Sequence, residues 1–347
     1  MRDLKATLLW SIPWDDDAVT AVAFVGKDRL AAGNEQGAIF VFDLAEKGPM
    51  AARRLDGHTN VVTSLASPAE GRLVSSSYDH TLRWWDLAAP ATGSAEVALE
   101  KKKKNAKPVP VKVEVQKGDR VSEAHQEWVR GICLGAEGRQ LLSGDDQGVA
   151  ILWDSAEAKE LKRFQSAGWL RAVALTRDGK LAATCEYAPR YSQFPNAITL
   201  WDVESGKTKL DLGKEFKKGE RVTGMAAAAF APDGKVLALG QGGEVEGGKG
   251  KIWLVDPEGA KKPQELGGHE YGVTGFAFSP DGSVLASAGR DTLVRLWSLP
   301  DGKMLQELGK PRGGQFKDWI HAVAFSPDGG RIAAADMAGQ IHVWSLA

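Results

Sequence analysis

From Val273 to Leu299 the chain alternates small or polar positions with bulky apolar ones in three runs, VTGFAFS, SVLASAG and LVRLWSL. Alternation with period two gives an extended strand one buried face. The first break between runs is Ser279-Pro280-Asp281-Gly282, and Asp291 sits in the second. Proline fixes φ for a turn and glycine accepts the positive φ that ends one, so both breaks predict tight reversals. A further turn at Pro300-Asp301-Gly302 leads into KMLQEL. The unit therefore predicts four antiparallel strands in sequence.

The pattern recurs. An aromatic residue followed by Asp, Ser or Leu closes a β-rich segment at Phe42, Trp85, Trp153, Trp201, Trp253, Trp297 and Trp344, at intervals of 43, 68, 48, 52, 44 and 47 residues. A repeat of roughly 40–45 residues with insertions is that of a four-stranded propeller blade. Neighbouring repeats share their buried surface, so residues 1–347 are expected to form one all-β domain, a seven-bladed β-propeller of four-stranded antiparallel blades. Only Ser345-Leu346-Ala347 follow Trp344, so the last blade lacks a fourth strand, while the run Lys5 to Trp10 (KATLLW) has no blade. Residues 1–10 are therefore expected to be the outer strand of the last blade, closing the ring and hiding its edges.

Bulk chemistry narrows the function. A net charge of −1 and a pI near 6.6 supply no global field for nucleic acid or an anionic membrane, so any charged partner must be met locally. Met1 to Trp10 lacks the apolar core of a signal peptide, and no run reaches membrane-spanning length. Cys133 and Cys185 lie in separate apolar strand-like runs, which fits reduced packing thiols and a cytoplasmic location.

Gly57-His58, Ser75, Asp79 and Trp85-Asp86, and again Gly268-His269, Ser287, Asp291 and Trp297, resemble the motif of the WD40-repeat β-propeller family, over essentially the whole chain. The FSPDG turns ending at Gly282 and Gly329 look like those of bacterial members. The resemblance implies a buried network from the His through Ser and Asp to the indole N–H. The Asp position reads Gln36, Gln147, Pro195, Gly247 and Ala338 in the other blades, which are expected to rely on apolar packing.

Three insertions interrupt the repeat, and loops on a rigid scaffold are where function is grafted. The longest, within residues 88–124, carries Lys101 to Lys104 and Lys107, with its lysine-rich part at about 101–120 near blades two and three. It reads as a solvated hairpin extending one blade or as a basic docking site; four lysines without interleaved aromatics are a weak nucleic-acid signal. The second, residues 185–196, brings Tyr187, Arg190, Tyr191 and Phe194 into a hairpin. The third, residues 240–251, has glycines and Lys249 at phosphate-loop spacing, but Gly250 follows the lysine and KIWLVD is a strand rather than a helix, so the match fails.

The resemblance also implies a ring of residues around the channel mouth. Just before each first strand stand Ala18, Val61, Trp128, Trp169, Arg221, Gly272 and Trp319. Two residues further on stand Thr20, Thr63, Arg130, Arg171, Thr223, Thr274 and His321. Aromatics and arginines concentrate in blades three to five, the residue types most enriched in binding hot spots. The expected function is a non-catalytic protein-interaction scaffold whose upper face, blades three to five, binds an acidic or phosphorylated protein segment, with no cofactor, metal or membrane. The alternatives are nucleic acid on the same arginines and a propeller hydrolase or lactonase with a channel-mouth site, for which His321 is the one histidine facing the channel. Inward carboxylates beside His321 would favour the enzyme.

Overall fold

A computed structural model describes residues 4–14, 17–45, 48–98, 110–187, 198–212, 224–242, 250–299, 301–310 and 319–347. They form seven blades in a ring, each built on four antiparallel strands. Each innermost strand packs against that of the next blade, and Val19–Phe24 of blade one packs against Ile320–Phe325 of blade seven. Adjacent blades bury a shared apolar layer. Trp85 packs with blade-one residues such as Leu55, while Trp84, beside it on the other face of the strand, packs with Trp153 of blade three.

Closure runs through the N-terminus as the repeat count requires. Ala6–Pro13 pairs antiparallel with Gln340–Leu346, with an irregularity between Leu8 and Trp10. The strand thus extends three residues beyond the expected boundary at residue 10, and Trp14 follows it into the seam between blades seven and one, edge-on to Phe40 at 4.8 Å.

The long insertion behaves differently from a hairpin that lengthens its own blade. Gly93–Val97 and Val111–Lys117 do form a hairpin, but the second strand docks parallel to Gly48–Asp56, so blade one becomes six-stranded. Arg53 locks this junction: its guanidinium reaches Glu114, Gln116 and the carbonyls of Leu87 and Ala89. Blade two then takes its fourth strand from Arg120–Ser122. Lys101 to Lys104, Lys107 and Pro108 lie outside the described residues.

Strand register places the closing aromatic opposite the second residue of the preceding strand, as for Leu73 with Trp85 and Leu285 with Trp297. In blade five the residue paired with the end of the first strand is Leu237, its strand's first residue, so the corresponding position is Val255, and Trp253 comes two residues earlier on the same face.

Candidate functional site

The two expected networks are both present. In blade two, Trp85 Nε1 donates to Ser75 Oγ at 2.9 Å, Ser75 Oγ lies 2.7 Å from His58 Nε2, and His58 Nδ1 lies 2.8 Å from Asp79. In blade six the corresponding distances through Trp297, Ser287, His269 and Asp291 are 2.9, 2.8 and 2.8 Å. A neutral ring with its proton on Nδ1 satisfies every member: indole to hydroxyl, hydroxyl to Nε2, Nδ1 to carboxylate. Burial favours that neutral form and lowers both histidines below their usual range, against the pull of their carboxylates. Burial opposes the charge on Asp79, yet the hydrogen bond and charge of His58, with Thr81 and the Thr59 N–H, outweigh it and hold the carboxyl well below the usual range.

A third network overturns the expectation that blade three relies on apolar packing. His125 bridges Ser143 and Asp145 at 2.7 Å on each side, and Trp153 Nε1 donates to Ser143 at 2.8 Å. The carboxylate comes from Asp145, two residues before the Gln147 position. In blades two and six the positive φ of the hairpin falls on His80 and Thr292, directly after the Asp. In blades one, three and seven it falls on Gly37, Gly148 and Gly339. There an acid or amide three residues earlier, Asn34, Asp145 or Asp336, caps the N–H four residues on. The signal was in the sequence as N-E-Q-G, D-D-Q-G and D-M-A-G.

Around the channel mouth the irregularity in the first strand falls at Thr20, Thr63, Arg130, Arg171, Thr274 and His321 in six blades and at Ala226 in blade five. In the six blades other than the fourth, the carbonyl before the first strand accepts an N–H from the end of the second, as Val61 does from Tyr78, Trp128 from Asp146 and Trp319 from Met337. In blade five that carbonyl belongs to Gly224, bonded by Gly242, and the channel residue two further on is Ala226. Arg221 and Thr223 therefore do not hold the assigned positions, and both lie outside the described residues, as do Arg190, Tyr191 and Phe194.

The channel cavity of about 610 Å³ is lined at this level by Thr20, Thr63, Arg130, Arg171, Thr274 and His321. The threonines are structural staples. Thr20, Thr63 and Thr274 donate to Val62, Val129 and Ile320 carbonyls in the next blade, at 2.6, 2.7 and 2.6 Å. His321 is pushed down to about 4, chiefly by burial and secondarily by Arg290. No carboxylate lines this cavity among the described residues, and no group of three His, Cys, Asp or Glu is placed to hold a metal.

Two similar aromatic and arginine groups flank the mouth. Trp128 stacks on Tyr78 at 4.8 Å, and the Arg130 guanidinium lies 5.0 and 5.3 Å from the two rings. Arg130 also grips Asp146 through two bonds of 2.7 and 2.6 Å and donates to the Tyr78 hydroxyl at 2.5 Å. One blade further on, Trp169 lies 6.4 Å from Tyr187, and Arg171 packs over the Tyr187 ring at 4.6 Å. Trp128 and Trp169 are each 43% exposed. Across the mouth, Arg290 covers Trp319 at 4.5 Å. Tyr78, Asp146 and Arg290 were not legible as site residues: each is the residue just past a second strand, and only the register brings it beside the next Trp or Arg.

Cys133 and Cys185 are free, and burial pushes both thiols up to about 12. No helix among the described residues is long and apolar enough to cross a membrane.

Seven four-stranded blades about a channel, three of them carrying a His, Asp, Ser and Trp network, define a WD-repeat β-propeller. The chain belongs to the WD40-repeat family: the family description "WD domain, G-beta repeat" matches residues 51–86, 118–154, 260–298 and 306–345. Among its relatives, the small ribosomal subunit protein RACK1y of Oryza sativa subsp. japonica is 30% identical over 257 residues, covering 73% of this chain and 70% of that protein. WD repeat-containing protein 1-B of Xenopus laevis is 25% identical over 278 residues, 80% of this chain and 38% of that protein. The guanine nucleotide-binding protein subunit beta of Solanum tuberosum is 22% identical over 269 residues, 75% of this chain and 62% of that protein.

Proposed function

We propose that the protein is a non-catalytic interaction scaffold of the cytoplasm whose upper face, at blades three and four, docks a protein segment. The observation that carries this is the pair of Trp128 and Trp169, two large rings on neighbouring blades, each set beside a tyrosine yet 43% exposed, next to Arg130 and Arg171 that line the channel cavity. A rigid aromatic anchor loses little entropy on binding, which is why Trp is enriched in hot spots. Relatives named as parts of a ribosomal subunit and of a guanine nucleotide-binding protein support a role within larger assemblies.

The segment we favour is acidic or phosphorylated, because Arg130 and Arg171 both line the channel cavity beside the two tryptophans while no carboxylate lines it among the described residues. Arg130 pairs with Asp146 and positions Trp128 and Tyr78. Capture from native lysate should compare the wild type with a Trp128→Ser, Trp169→Ser variant. Proteins lost only with the variant, at unchanged melting, support the face; identical capture by both sinks it. Arg171→Gln then tests the acidic preference, which is wrong if the same partners bind with the same salt dependence.

A further inference from the structure

On the opposite face, the turns after Leu175, Phe230 and Val255 enclose a cleft of about 580 Å³ between blades four and five. Its floor is apolar, with Leu181, Pro232, Leu254 and Val255. Its rim carries charges of both signs, but they are not equally available. Asp178 accepts from the Thr176 hydroxyl at 2.6 Å and the Lys180 N–H at 3.1 Å. Asp233 and Asp256 cap the N–H groups of Lys235 and Glu258, each at 3.0 Å. Glu258 pairs with Lys209 at 2.7 Å, a cation outside the cleft. By contrast Arg177, Lys261 and Lys262 line the cleft, are exposed, and have no side-chain partner among the described residues.

We propose that this cleft binds a small organic anion, a phosphate monoester or a carboxylate on a compact apolar body. Turn bonds orient the three aspartates and Lys209 holds Glu258, leaving Arg177, Lys261 and Lys262 as the groups able to swing onto an incoming anion. The hydrocarbon floor beneath them accepts the apolar body. The volume lies within the range of small-ligand pockets and exceeds what one inserted side chain fills. The site is separate from the upper face and does not depend on the reading of that face.

Phenyl phosphate is the probe, titrated calorimetrically into the full chain at low salt beside phenol and inorganic phosphate. The expected result is one saturable site for phenyl phosphate, at least tenfold weaker for either half-probe, weakened at least tenfold by Lys261→Glu, Lys262→Glu and unaffected by Trp169→Ser. Arg177→Gln should weaken it several-fold with unchanged melting. No saturable binding, or binding indifferent to both the lysine pair and Arg177, overturns the site. Equal affinity for inorganic phosphate overturns the role of the apolar floor.

Discussion

The Arg130 guanidinium and the Asp146 carboxylate meet side-on through two hydrogen bonds, with both side chains only 15% and 11% exposed. The pair welds the mouth of the channel across the seam between blades two and three, because the same arginine holds Tyr78. Arg130→Glu would place two carboxylates against each other, and Arg130→Ala would leave one nearly buried and unpaired. Either should lower stability by about 3 kcal/mol in urea melts. The Arg130→Ala, Asp146→Ala double variant should recover part of that loss, and a double variant worse than the sum would refute the coupling.

Asp145→Ala should cost as much as Asp79→Ala or Asp291→Ala, roughly 1–3 kcal/mol, since each strands a buried histidine and its hydroxyl. Gln147→Ala, at the position the repeat alignment favours, should stay within about 0.5 kcal/mol. Equal urea midpoints for Asp145→Ala and Gln147→Ala would show that the third network contributes nothing.

Removing residues 1–13 should expose the edge of Gln340–Leu346 and, by taking away Ile12, uncover its neighbours in the seam. We expect aggregation on size exclusion, or a melting temperature lower by about 10 °C. Trp14→Ala, which keeps the strand but empties its anchor, should cost about 3–5 kcal/mol. A monomeric truncation with unchanged melting would contradict closure by this strand.

His321 titrates at about 4 in the folded chain and at its ordinary value, near 6.5, when unfolded. Between those values the unfolded chain binds the proton and the folded chain does not, so stability falls as pH drops from about 6.5 towards 4 and is fully present above that window. The ring is only partly buried, so its share should be about 2 kcal/mol rather than the full linkage value. Stability profiles of His321→Gln should be flatter than wild type across that window; the slope that remains includes that of His58 and His269, which are also lowered, and, at its acid end, of carboxyls held low such as Asp79 and Asp291.

Local chemistry determined much of this protein. Period-two alternation, the spacing of aromatics from Phe42 to Trp344 and the SPDG turns announce seven blades, and the unassigned run at Lys5 to Trp10 announces how the ring closes. The networks of blades two and six were legible because Ser75 with Asp79, and Ser287 with Asp291, keep one spacing. What depended on register was not legible. One hairpin form puts the acid after the strand and another puts it at the strand end, which hid Asp145 behind Gln147. A shift of three residues in blade five put Gly224 where Arg221 was expected. The choice of Gly48–Asp56 as the dock for Val111–Lys117, the pairing of Arg130 with Asp146, and the stacking of Trp128 on Tyr78 of the neighbouring blade were decided by tertiary structure alone. Strand alternation says which face a side chain takes, but which neighbour it meets depends on how blades pack, and no local pattern encodes that.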